Sequence, residues 1–198
     1  AFALKVAFTS SVYFFQKDQP QNLDSLARVY NNTGVDYMLE GDHEKASELF
    51  NKSLKIRESI PDFPKGRLAY GYLNLAILKQ DMSYIDSAIY YYKKTESILL
   101  SMENPPASTL GITYYAYGSC LNYKQDYKTS IAYIQRGINL LSQDSLKNSM
   151  HLVLATINLV SAYRNAGLLE EAHNTALKAK VLSEKFGGVY YSNTNSAI

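Results

Sequence analysis

Residues 37–54 read YMLEGDHEKASELFNKSL. An aromatic residue, Tyr37, precedes a Gly41-Asp42 corner, and after the corner Ala46, Phe50 and Ser53 follow at intervals of four and three. Those intervals place three residues on one face of a helix. Upstream, Gly34 and Tyr37 are three apart and share a face of an earlier helix. Glycine permits a chain reversal, and Asp42 can accept hydrogen bonds from the first-turn amides of the helix after it. The stretch therefore describes two antiparallel helices meeting at a tight corner.

The pattern recurs. Ala46 is followed by Ala88, Ser130 and Ala172, each 42 residues after the last. Four residues beyond each small position stand Phe50, Tyr92, Ile134 and Ala176; three further on stand Ser53, Thr95, Gly137 and Ala179. Twelve residues before them lie Gly34, Ala76, Gly118 and Val160, and nine before them Tyr37, Lys79, Leu121 and Tyr163. The corners read Gly41-Asp42, Ser83-Tyr84, Gln125-Asp126 and Gly167-Leu168. Four copies in register mark a repeat architecture in which each unit is a helical hairpin stacked on the next.

The register predicts helix pairs at about 23–39 with 43–59, 64–80 with 84–101, 107–122 with 127–142, and 147–165 with 169–185. Pro61, Pro64, Pro105 and Pro106 fall between pairs, where a missing amide does least harm. Small residues in the Gly34 and Ala46 columns allow close helix approach, and Phe50, Tyr92 and Ile134 fill the space between units. Residues 1–15 fit the second helix of a preceding unit, with Leu4 and Phe8 in the Ala46 and Phe50 columns. Gly187-Gly188 stops the last helix, and 186–198 is read as a polar tail. All 198 residues are taken as one repeat domain that reads as an excised piece of a longer chain.

Composition narrows the function. The net charge of +2 comes from 20 basic and 18 acidic residues with no basic block, which argues against direct nucleic-acid contact. The apolar start is interrupted by Lys5 and is too short to cross a bilayer, so a membrane span is expected only outside this fragment. Cys120 is the lone cysteine, and His43, His151 and His173 have no spacing suited to a helical metal pair. Cys120, between Gly118 and Leu121, reads as a buried small hydrophobe. With no nucleophile elbow and no phosphate loop, neither catalysis nor a cofactor is expected. A lone cysteine and mild charge leave cytoplasm and periplasm both open.

The repeat resembles the tetratricopeptide repeat family in its 42-residue form, similar to repeats of kinesin light chains and of bacterial regulators and sensor kinases. Tyr30, Gly34, Tyr37, Gly41-Asp42, Ala46, Phe50 and Ser53 carry the resemblance in the first unit, and Tyr114, Gly118, Leu121, Asp126, Ser130, Ile134 and Gly137 in the third. Leu159, Tyr163, Gly167, Ala172 and Ala179 carry it in the fourth, while the second departs at Lys79 and Ser83-Tyr84. The resemblance implies an all-α, right-handed superhelical solenoid whose first helices line a concave surface that holds a protein or an extended peptide. It also implies backbone contacts from an Asn column that here reads Asn32, Asn74, Ala116 and Asn158. An Asn side chain carries both a donor and an acceptor, which suits an extended main chain.

The remaining candidates on the inner face are Tyr70, Tyr115, Asn122, Tyr123, Ser161, Arg164 and Asn165, with Tyr115 and Tyr123 expected to be accessible. Gln80 and Ser119 belong to the same lining, and Leu73 and Ile77 read either as lining or as core. Two further functions stay open: a sensor or oligomerisation region of a bacterial transcription regulator or sensor kinase, placing the chain in signal transduction, and self-association through the end of the stack.

Overall fold

The computed structural model describes residues 20–186, and the expected leading helix at 1–15 and nearly all of the tail lie outside them. Eight helices follow one another: α1 (Pro20–Leu39), α2 (His43–Ser59), α3 (Lys65–Asp81), α4 (Ile85–Leu100), α5 (Ala107–Tyr123), α6 (Tyr127–Ser142), α7 (Ser149–Asn165) and α8 (Leu169–Lys185). No strand occurs among the described residues. Over the described residues the chain is an all-α solenoid of four stacked antiparallel hairpins.

One motif makes every hairpin. At the four corners Gly41, Ser83, Gln125 and Gly167 adopt left-handed backbone with φ of 82°, 62°, 65° and 77°. The amide after each reaches back to the carbonyl of residue 37, 79, 121 or 163 at 2.8–3.0 Å, and the corner amide itself reaches residue 38, 80, 122 or 164. This double closure satisfies carbonyls that the ending helix leaves open. Asp42 and Asp126 then accept from the amides of Lys45 and Thr129 at 3.2 and 3.3 Å, starting α2 and α6. The second corner lacks an acidic cap; there Lys79 Nζ lies 5.7 Å from the centre of the Tyr84 ring. In the first corner the cation and the ring have changed places, with Lys45 5.0 Å from Tyr37.

Between the helices of a hairpin, small residues bring backbones together. A methyl group at Gly118 would lie 2.9 Å from the Ser130 carbonyl oxygen, and Ser130 Oγ donates to the Gly118 carbonyl at 2.7 Å. That bond is why a serine serves in the alanine column: the bare backbone opposite offers it an acceptor. Phe50, Tyr92 and Ile134 are all at most 1% exposed and fill the core between units.

Between hairpins, α2, α4 and α6 pack onto α3, α5 and α7, while the first helices α1, α3, α5 and α7 also touch one another in series. The row of first helices is therefore the tighter, inner side of the stack.

Candidate functional site

The inner side is stitched by polar side chains that reach from one first helix to the next. Asn74 Nδ2 donates to Asn31 Oδ1 at 3.0 Å, joining α3 to α1. Ser108 Oγ donates to Asn148 Oδ1 at 2.8 Å, joining α5 to the residue that precedes α7. Toward the corners, Asn122 Nδ2 donates to Ser161 Oγ at 3.4 Å and Asn165 Nδ2 donates to Asn122 Oδ1 at 3.2 Å.

This last group opens into a cleft of about 380 Å³ at the C-terminal turns of α3, α5 and α7. Gln80, with Ser83 and Ile85 from the corner behind it, forms one wall; Ser119, Cys120, Asn122 and Tyr123 form the floor; Ser161 and Asn165 close the other side. Its polar groups are amides, hydroxyls and a thiol, and no Lys, Arg, Asp or Glu lines it. Burial pushes the Cys120 thiol up to about 12, so it stays protonated at neutral pH. The cleft is thus a preformed surface of uncharged donors and acceptors, suited to the main chain or amide side chains of an extended segment.

Of the candidates on the inner face, the cleft brings together Asn122, Tyr123, Ser161 and Asn165. Tyr123 is 70% exposed and stands at the edge. Asn32 and Tyr70 are exposed on the first two hairpins, Asn158 is half-buried on α7, and Arg164 is exposed beside the cleft without lining it.

Two candidates sit differently from expectation. Asn74 is 6% exposed, and its amide is spent on Asn31, so it fastens α3 to α1. Tyr115, expected to be accessible, is 8% exposed; its hydroxyl pairs with His151 Nδ1 at 3.0 Å, and burial pushes it up to about 12. Both turn sideways toward the neighbouring first helix, an orientation that helical spacing alone does not resolve. Leu73 is core and Ile77 half-buried.

None of the cleft residues belongs to the Asn column, and Gln80, read from sequence as part of the lining, forms its α3 wall. The signal for it lies in the register: Gln80 and Asn122 are 42 residues apart, as are Ser119 and Ser161, and Tyr123 and Asn165. Three polar columns, each continued over two units, mark the cleft.

No family model matches the chain, and no curated protein matches it. Solved structures do. The apo form of RapI aligns with a TM-score of 0.80 at 14% identity, over 96% of this chain and 66% of that one. Aspartyl phosphate phosphatase F from Bacillus subtilis aligns with a TM-score of 0.75 at 19% identity, over 88% of this chain and 44% of that one. BtubC (BKLC) from P. vanneervenii aligns with a TM-score of 0.57 at 14% identity, over 89% and 87%. At these identities the likeness is one of fold. The chain spans about half the length of the phosphatase and two thirds of RapI.

Proposed function

We propose that this chain binds another polypeptide, taken as an extended segment along the concave row of first helices, and that it does so as a tetratricopeptide-type scaffold without catalysis or cofactor. The observation that carries the reading is the cleft itself, in which Asn122, Tyr123, Ser161 and Asn165 from two consecutive first helices converge with their polar groups already arranged. Because the hairpins fix this arrangement beforehand, most of the ordering cost falls on the ligand. Asn32 and Tyr70 continue an exposed polar and aromatic row toward the first hairpin, and Asn158 and Arg164 flank the cleft on α7. A peptide-library screen in solution tests the reading. An Asn122→Ala, Asn165→Ala double variant with an unchanged circular dichroism spectrum is expected to lose roughly tenfold or more in affinity for the selected peptides. Unchanged affinity counts against this assignment.

A second reading is that the segment is the sensor or oligomerisation part of a bacterial regulator or sensor kinase. It is supported by the similarity of fold to a protein named as an aspartyl phosphate phosphatase, over less than half of that protein's length. A helix-turn-helix module, a membrane span or a kinase core encoded beside these residues favours it over a free-standing receptor. Self-association through the end of the stack is distinguished by light scattering across a concentration series, where an invariant monomer mass argues against it.

A further inference from the structure

Gln80 lies in the last turn of α3, on the cleft wall opposite Ser161 and Asn165. Two side chains behind it decide which way its carboxamide is turned. The hydroxyl of Tyr92, a residue with no exposed surface, donates to Gln80 Oε1 at 2.7 Å. The Cys120 thiol approaches the same oxygen at 3.5 Å. A carboxamide has an acceptor on one arm and two donors on the other, and its orientation follows from its partners. Reversed, it would set its NH₂ against a thiol hydrogen and leave the Tyr92 proton without an acceptor in the core, at the cost of an unmade buried hydrogen bond. The oxygen therefore faces inward. Nε2 is left on the cleft side, with no acceptor among the described residues.

On the cleft floor, Asn122 already has one partner on each arm, Ser161 and Asn165. The donor that remains uncommitted at the α3 wall is the Gln80 amide. The surroundings also set what it can meet. A charged group in the cleft would give up hydration with no counter-charge among the lining residues. The cleft lies at the C-terminal ends of three helices, whose partial negative charge opposes a carboxylate.

We propose that Gln80 is a specificity-determining donor of the concave site, held donor-outward by Tyr92, and that it takes an uncharged carbonyl: a main-chain carbonyl or a side-chain carboxamide of an extended, acid-poor peptide. This rests on the peptide-binding reading above. Tyr92 is a positioning residue, acting through Gln80 without touching the ligand.

An array of immobilised, end-capped random dodecapeptides, probed with the 198-residue chain as wild type, Gln80→Leu, Gln80→Glu and Tyr92→Phe, tests it. The wild type is expected to retain peptides poor in Asp and Glu, with Asn or Gln favoured at one position. Gln80→Leu lowers solution affinity for those peptides roughly five- to tenfold, as the loss of one neutral hydrogen bond requires. Gln80→Glu, which replaces the donor by an acceptor, moves the selection toward Lys- and Arg-bearing peptides. Tyr92→Phe weakens the Asn/Gln preference while the helical spectrum is kept. If folded Gln80→Leu and Gln80→Glu select the same peptides within twofold of wild-type affinity, the role of Gln80 is overturned and concave-face binding stands. Selection of acidic peptides by the wild type overturns the neutral-carbonyl assignment, and an array on which the wild type retains nothing overturns both readings.

Discussion

Ser83 and Gln125 hold a backbone conformation that Gly41 and Gly167 adopt freely at the same place in the repeat. A side chain in the left-handed region crowds the following carbonyl, at roughly 1–2 kcal/mol, whereas glycine gives up part of that gain through the entropy of the unfolded chain. Ser83→Gly and Gln125→Gly are each expected to raise stability by roughly 0.5–1 kcal/mol net, read as a higher urea midpoint at unchanged slope. A lower midpoint for both would show that the corners gain more from their side chains than the backbone loses. The Tyr115–His151 contact carries a pH dependence of known sign. Burial holds the His151 imidazole below its ordinary value, so the fold disfavours the protonated ring that the unfolded chain accepts from about pH 6.5 downward. Stability tied to this residue is complete above that pH and is lost as the pH falls toward the folded value. Denaturation of wild type and His151→Gln at pH 7.5 and 5.5 should show a steeper acid loss in the wild type. At this scale the sequence told little about direction: Asn74 and Asn32 occupy one column, yet the first is buried against Asn31 and the second exposed. Asn74 meets α1, the first helix before its own, whereas no first helix precedes α1 among the described residues, so the difference is a property of the stack.

Corners and caps decide where helices start and stop, and these were the most readable elements. Gly-Asp or its substitutes fell at the four left-handed corners, and Asp42 and Asp126 cap the helices that follow them. The start of α7 was less legible. The turn before it is closed by side chains: Asp144 Oδ1 accepts from the Lys147 amide and Asn148 Nδ2 donates to the Leu141 carbonyl, so the helix begins at Ser149. The capping role is measurable: Asp126→Ala should cost about 1 kcal/mol, with Asp126→Asn or Ser recovering most of it, by chemical denaturation. Close approach inside the hairpin is a stricter demand. In Gly118→Ala the new methyl would meet Ile134 Cγ1 at 2.6 Å and the Ser130 oxygen at 2.9 Å, and α6 backbone cannot move as a side-chain tip can. The substitution is expected to cost roughly 1–3 kcal/mol, and a stability within 0.5 kcal/mol of wild type would contradict so tight a packing of α5 on α6.

In the whole molecule, each hairpin is held by its neighbours in the stack. The buried cluster of Ala46, Phe50, Leu54, Tyr72, Leu75 and Leu78 joins the first hairpin to the second, whereas a larger cluster runs from Leu73 through Tyr92, Ile134 and Leu159 across the second, third and fourth. Among the described residues, the buried cluster of the first hairpin is completed by α3 and takes nothing from α5 to α8. Such a one-dimensional arrangement has stabilities that sum over units and interfaces, so a defect at one end need not open the other. Phe50 is 1% exposed and central to the first interface. Phe50→Ala should cost roughly 3–5 kcal/mol there, and native-state hydrogen exchange should show α1 and α2 exchanging far faster while α5 to α8 keep their wild-type protection. This matters for binding because the cleft takes no lining residue from α1 or α2, while α3 borders both the cleft and the weakened interface. A Phe50→Ala chain should therefore still select the cleft's peptides, losing only contacts made by Asn32 on α1. Uniform acceleration of exchange through α8 would show instead that the four hairpins open as one cooperative unit, and that the groove cannot outlast its first turn.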